Sequence, residues 1–201
     1  MATIEYYNNH ASQFIENTLH VDMESLYQPF CDALPDQAFI LDLGCGSGRD
    51  TLAFKNKGYT VEAIDYSKAL VEQATALTGL QVRHASFYDL AESNQYDGVW
   101  ACASLLHCER DKLLEVLCRI HRALRCTGVC YMSFKYGTTD RVKDGRAFTD
   151  LDEEQAQKLL DQLDGATILK QWITVDKRPD RDEEWLNVLW KKGLETCVFF
   201  Y

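Results

Sequence analysis

The sequence predicts an α/β fold: three layers, a mostly parallel sheet with helices on both faces, preceded by a helical cap. Three observations predict it. From about residue 39, short and nearly continuous apolar runs alternate with segments of helical periodicity, as in repeated strand–helix–strand units. The run Ile40-Leu41-Asp42-Leu43 ends in Gly44-Cys45-Gly46-Ser47-Gly48 and opens a helix at Arg49, and a strand buried on both faces needs such an apolar run. Near the C-terminus two successive strand patterns are separated only by the charged segment 176–184. They cannot both be parallel, so one runs antiparallel.

The elements follow in order. Residues 3–19 and 22–34 are expected to be helical, with Asp22 as an N-cap followed by Glu24, because a short polar side chain satisfies the first free amides of a helix. These form a cap over 1–35. Tyr6, Tyr7, His10 and Phe14 fall on one face of the first helix. That face either packs on the sheet or forms a lid, and aromatic bodies with polar tips favour the lid. Strands are expected over 39–43, 60–64, 81–84, 98–101, 128–134, 167–174 and 185–190, with helices over 49–56, 68–78, 111–124 and 152–163. The α/β core then spans 36–201, and the whole of 1–201 reads as a single domain.

Composition narrows the function classes. The chain is 46% hydrophobic and 26% charged, a globular balance. No apolar stretch approaches the roughly 20 residues that span a bilayer, and the first residues lack a signal-peptide pattern, so a cytoplasmic protein without a membrane partner is the default expectation. The eight cysteines contain no Cys-x-x-Cys pair. Most lie in apolar runs, where a free thiol behaves as a small hydrophobe, so they are expected to be reduced core residues and no metal site is expected. A net charge of −10 argues against a nucleic-acid partner, since such binding depends on neutralising phosphates. Two basic islands stand out against this charge: residues 135–146 and 170–181 each carry four cations and two anions.

The glycine turn carries chemistry. Glycines let a backbone pass close to a ligand, and amides at a helix start have no intrahelical partner and can receive an anionic group. The pattern is Gly-x-Gly-x-Gly, with Arg49 standing where the dinucleotide fingerprint has its third glycine. The next strand ends in Asp65, and Asp65-Tyr66-Ser67 opens another helix. An acid about 20 residues after the turn is where a Rossmann-like fold grips ribose hydroxyls, so turn and acid together point to an adenosine-containing ligand. The rule that ligands lie beyond the carboxyl ends of the strands gathers Gly44, Asp65, Ser86, Ala101 and Phe134 around one crevice.

At these residues the chain resembles the class I S-adenosylmethionine-dependent methyltransferases, whose first motif is similar to Leu41-Asp42-Leu43-Gly44-Cys45-Gly46-Ser47-Gly48. The resemblance covers about 38–134 by motif and the rest by topology. It implies a Rossmann-like sheet of seven strands with the last one reversed. It implies S-adenosylmethionine as cofactor and S-adenosylhomocysteine as product, held by Asp42 at the methionine end, by Gly44, Cys45, Gly46, Ser47, Gly48 and Arg49 in the turn, and by Asp65 and Tyr66 at the nucleoside. Ser86 and Phe87 stand where the family often has an acid for the adenine amino group. Asp89 either contributes there or caps a short helix. The stretch 96–107 resembles the fourth family motif, with the Ala101 carbonyl near the methionine end. The layout is similar to the small-molecule branch of tellurite-resistance and thiopurine methyltransferases, with a type 11/12-like domain.

Methyl transfer from a sulfonium requires few catalytic side chains. His107 is the only histidine that this map brings near the crevice; it is either a general base or a buried histidine bonded to backbone. Tyr7, on the lid, and Arg146, in the first basic island, are the other candidates for acceptor chemistry. Lys135, Tyr136, Arg141, Lys177, Arg178 and Arg181 should rise at the same end of the sheet, with Trp185 and Asn187, and arginines suit carboxylate or phosphate. The expected function is therefore methyl transfer to a small acceptor, with an anionic one suiting the islands. The alternatives are methylation of tRNA or protein, a nicotinamide-dependent oxidoreductase, and a non-catalytic S-adenosylmethionine-binding regulatory module. The sequence leaves the oligomeric state open.

Overall fold

The computed structural model describes residues 2–178 and 181–194. Three helices come first: α1 (Ala2–Asn9), α2 (Ala11–Thr18) and α3 (Glu24–Asp32). The single helix expected over 3–19 is interrupted at His10, whose backbone leaves helical geometry (φ −120°, ψ 22°). The His10 ring stacks on Tyr6 with centroids 4.4 Å apart, and its Nδ1 donates to the Tyr6 carbonyl at 2.9 Å. The N-cap of α3 is Met23 rather than Asp22; Asp22 stands one residue earlier and accepts from the Glu24 amide at 2.9 Å.

The core alternates as expected: β1 (Phe39–Leu43), α4 (Arg49–Asn56), β2 (Thr60–Asp65), α5 (Lys68–Thr78), β3 (Arg83–His84), β4 (Tyr96–Ala101), α6 (Leu113–Ala123) and β5 (Leu124–Lys135). After these come β6 (Asp140–Lys143), β7 (Arg146–Thr149), α7 (Glu153–Leu160), β8 (Thr167–Val175) and β9 (Glu184–Lys191). The main sheet has seven strands in the order β3-β2-β1-β4-β5-β9-β8. All neighbours are parallel except those of β9, which runs antiparallel to both β5 and β8. The chain leaves β1 in one direction along the sheet and β4 in the other. The switch point therefore lies between β1 and β4, where the carboxyl ends of the strands open a crevice.

Two apolar layers sandwich the sheet. Period-2 alternation divides β1 between them: Leu41 and Leu43 face one cluster and Ile40 the other. On the first face α6 contributes Leu113, Val116, Leu117 and Ile120, the i, i+3, i+4, i+7 stripe of an amphipathic helix. On the second, Tyr27, Phe30, Phe54, Trp100 and Tyr131 form an aromatic block between sheet and α3–α4.

The β6–β7 hairpin lies between 134 and 152, where the sequence predicted no strand. Its turn is Asp144-Gly145, both at positive φ (52° and 75°), the combination that two-residue hairpins require. Arg141 stands opposite Phe148 and Lys143 opposite Arg146. Side chains alternate along a strand and directly paired residues share a face, so these four project on one side.

The cysteines are only partly core residues. Cys45, Cys108 and Cys130 are buried, Cys31 and Cys102 are half-buried, and Cys118 is exposed. Cys126 is disulfide-bonded, against the expectation that all are reduced, and Cys197 lies outside the described residues. Among the described residues no group of three His, Cys, Asp or Glu is arranged to hold a metal. No helix among them is long and apolar enough to cross a membrane.

Candidate active site

The floor of the site is the turn after β1. Gly44 has φ +83°, and a Cβ there would stand 2.5 Å from the Ser104 Cβ. Only glycine fits, because Ser104 is itself held against the turn, its hydroxyl donating to the Leu43 carbonyl at 2.6 Å. Gly46 faces α2: a Cβ would meet the Phe14 ring at 3.1 Å. The Gly44 and Cys45 amides donate to the Ile64 carbonyl at 2.9 and 3.0 Å, and the Gly46 amide donates to Asp65 Oδ2 at 2.8 Å. Asp65 Oδ1 accepts from the Ser67 amide at 2.8 Å. Burial pushes the Asp65 carboxyl up, against the pull of these amides. Each of its oxygens keeps a lone pair for a further donor.

Beneath the turn lies a buried polar brace. Asp50 accepts from Tyr27 Oη at 2.5 Å, Trp100 Nε1 at 2.8 Å and Arg49 Nε at 2.6 Å. Burial opposes its ionisation, but Arg49 and these bonds outweigh it and hold Asp50 below the usual carboxylate range. Asp42 accepts from Thr51 Oγ1 at 2.6 Å. Burial, reinforced by the Asp50 charge, pushes Asp42 up to about 8. Arg49 also donates to the Thr18 carbonyl at 3.1 Å, tying the turn to the end of α2.

A cavity of about 760 Å³ runs from Gly44–Ser47 to the β6–β7 hairpin and the start of β9. Helix α1 covers it. Thr3 Oγ1 accepts from the Ala147 amide at 3.0 Å, and Asn8 Oδ1 accepts from Ser67 Oγ at 2.8 Å. Between these anchors Tyr7 Oη meets His107 Nε2 at 2.8 Å. His107 Nδ1 lies 2.8 Å from the Ala147 carbonyl. A carbonyl only accepts, so Nδ1 carries the hydrogen and Nε2 accepts from Tyr7. Burial, with the nearby Arg146 and Lys135 charges, lowers His107 to about 4, so the ring is neutral at pH 7. Burial also raises the Tyr7 phenol. The Arg146 guanidinium sits 4.2 Å over the Tyr6 ring and 5.3 Å from the Phe148 ring.

The structure thus brings Tyr7, His107 and Arg146 to one wall, opposite Gly44, Cys45, Gly46, Ser47 and Arg49. Other predicted site residues stand off the cavity. Asp42 lies one layer below the turn. Gly48 starts α4 and packs on Ala74 and Thr78. Asp65 is buried beside the turn, and Tyr66 is exposed and stacked on His84. Ser86 and Asp89 form a reciprocal cap around the short turn that holds Phe87, which resolves Asp89 as a cap. Ala101 is buried at the end of β4, while Cys102 and Ala103 reach the cavity instead.

The basic islands also divide. Lys135, Arg178 and Arg181 line the cavity with Trp185 and Asn187. Arg178 is paired with Asp176, and Lys177 donates to the Asp22 carbonyl and Ser25. Tyr136 points away, donating to Glu153. Lys143, Phe148 and Glu183 line the cavity without having been singled out from the sequence. The Asp-Gly pair at 144–145, flanked by alternating side chains, was the signal available for the first two.

Residues 40–128 match a family model described as a methyltransferase domain. The chain is 26% identical over 163 residues to YqeM of Bacillus subtilis (strain 168), provisionally named a methyltransferase, covering 74% of this chain and 63% of that one. It is 33% identical over 89 residues to the malonyl-[acyl-carrier protein] O-methyltransferase of Buchnera aphidicola subsp. Baizongia pistaciae (strain Bp), covering 40% of this chain and 34% of that one. The chain therefore spans less than two thirds of the length of the curated relatives it matches. Among solved structures it is similar to the Burkholderia thailandensis 1,6-didemethyltoxoflavin-N1-methyltransferase with 1,6-didemethyltoxoflavin and S-adenosylhomocysteine bound (TM-score 0.65, 24% identity, 94% of this chain and 89% of that one). It is also similar to the Synechocystis PCC 6803 magnesium protoporphyrin IX methyltransferase with S-adenosylmethionine bound (TM-score 0.71, 16% identity, 94% of each chain). At these identities the structural likeness speaks for the fold.

Proposed function

We propose that this chain, a member of the class I S-adenosylmethionine-dependent methyltransferase family, transfers a methyl group to a small acceptor held between the glycine turn and the β6–β7 hairpin. The observation that carries this is one continuous cavity from Gly44–Ser47 to Tyr7, His107 and Arg146. The residues present fit the cofactor. The turn at Gly44 and Gly46 admits no Cβ without a close contact, and the Asp65 carboxylate retains acceptor capacity for a ribose diol. When bound, S-adenosylmethionine would supply an activated methyl group on a sulfonium, with S-adenosylhomocysteine as the leaving group.

The protein's part is to orient and to exclude water. Tyr7 and His107 set the wall nearest the acceptor; His107 is bonded on both edges, and the Tyr7 hydroxyl oxygen, which donates its hydrogen to Nε2, keeps lone pairs that can accept from the N–H or O–H of an incoming nucleophile. Arg146 adds a charge suited to an anionic acceptor. The bound 1,6-didemethyltoxoflavin of the Burkholderia thailandensis neighbour supports a small acceptor. The tellurite-resistance and thiopurine-like branch, rather than enzymes acting on tRNA or protein, and a cytoplasmic location belong to the same proposal.

Calorimetry tests the cofactor. S-adenosylhomocysteine should bind and NAD should not. Asp65→Ala should weaken S-adenosylhomocysteine tenfold or more, about 1.4 kcal/mol. Unchanged affinity in that variant, or equal binding of NAD, contradicts the proposal.

A further inference from the structure

Glu183, just before β9, is one carboxylate facing four cations. The Lys135 ammonium is in direct contact with it, and Lys143 Nζ, Arg141 Nη1 and Arg181 Nη1 lie at 3.7, 3.9 and 3.9 Å. Arg141 is answered separately by Asp150 at 2.8 Å. Lys135, Lys143 and Arg181 line the main cavity and have Glu183 as their common counterion. Lys135 is buried, with its ammonium 5.5 Å from the Phe148 ring and 5.4 Å from the Trp185 ring. A charge kept from water by aromatic walls attracts an oxyanion more strongly than an exposed one does. The same hairpin face carries Arg146, whose buried Nε has no hydrogen-bond partner among the described residues.

Glu183 differs from a fixed structural acid in how it is held. Its backbone is pinned, since its carbonyl accepts from the Asp176 amide at 2.9 Å. The carboxylate reaches the cations only through a flexible side chain on the cavity wall, so rotating that side chain frees the cluster without moving the strand.

We infer that Glu183 occupies the place of the acceptor's own anionic group: the acceptor carries a carboxylate or phosphate, which displaces Glu183 from Lys135, Lys143 and Arg181. This rests on the methyltransferase reading for the word acceptor, and on the ion-pair geometry for the site. Internal occupancy by Glu183 lowers the affinity for any outside anion, because the bound group must first replace an existing partner.

The test is calorimetric titration of succinate and, separately, inorganic phosphate at fixed low ionic strength, with and without S-adenosylhomocysteine. Glu183→Gln should bind at least one probe tenfold or more tightly than wild type, and Lys135→Met in that background should reverse the gain. Tightening with succinate assigns a carboxylate acceptor; tightening with phosphate assigns a phosphorylated one. If Glu183→Gln binds neither probe, or binds no more tightly than wild type, the inference is overturned. The two readings fail separately. S-adenosylhomocysteine binding without tightening overturns the inference alone, whereas tightening without S-adenosylhomocysteine binding overturns the methyltransferase reading and leaves an anion site.

Discussion

His107 is bonded on both edges, to the Ala147 carbonyl through Nδ1 and to Tyr7 through Nε2. The sequence allowed either a base or a backbone-bonded histidine, and the side chain has one edge in each role. Its companion in the lid, a hundred residues earlier, leaves no trace in local pattern, because periodicity reports which face is buried and not what lies across the crevice. The arrangement sets a pH dependence. The folded pKa of about 4 lies below the ordinary value of about 6.5. The unfolded chain therefore takes the proton first as pH falls. The stabilisation is present above about pH 6.5 and is lost as pH drops towards 4. Melting temperatures at pH 7.5, 6 and 5 should fall more steeply for wild type than for His107→Gln. Parallel curves would show that His107 does not titrate as the geometry requires.

Elements with a single strong periodicity were legible. The bounds of β1, α4 and α5 match those expected from apolar run, glycine turn and helix start. The β6–β7 hairpin was not, because one face carries Arg141, Lys143, Arg146 and Phe148, of which only Phe148 is buried, and a strand with a mostly cationic face reads as a charged loop. Its register depends on the turn. Gly145 has φ +75° and nothing within 4 Å of an added Cβ, so Gly145→Val costs only backbone strain, on the order of 1–2 kcal/mol. Amide exchange across 140–149 should quicken in that variant while S-adenosylhomocysteine binding holds. Exchange as slow as in wild type would mean that the turn does not fix the hairpin.

For the whole molecule, the order of elements was enough to foresee a seven-stranded sheet with a reversed strand and a crevice at its switch point. A lid from the N-terminal helix was expected, but the manner of its closure was not foreseeable. It depends on α1 bridging Ala147 and Ser67 through Thr3 and Asn8, and on Glu183 meeting Lys135 and Lys143. These contacts join segments far apart in the chain, with no composition signal in common.

The measurement that bears most directly on a small acceptor is tritium transfer from labelled S-adenosylmethionine into a size-fractionated cell extract, run beside Asp65→Ala. Label in the small-molecule fraction that disappears in the variant is the result predicted. Label in RNA or protein, or no label dependent on the wild-type enzyme, would contradict it.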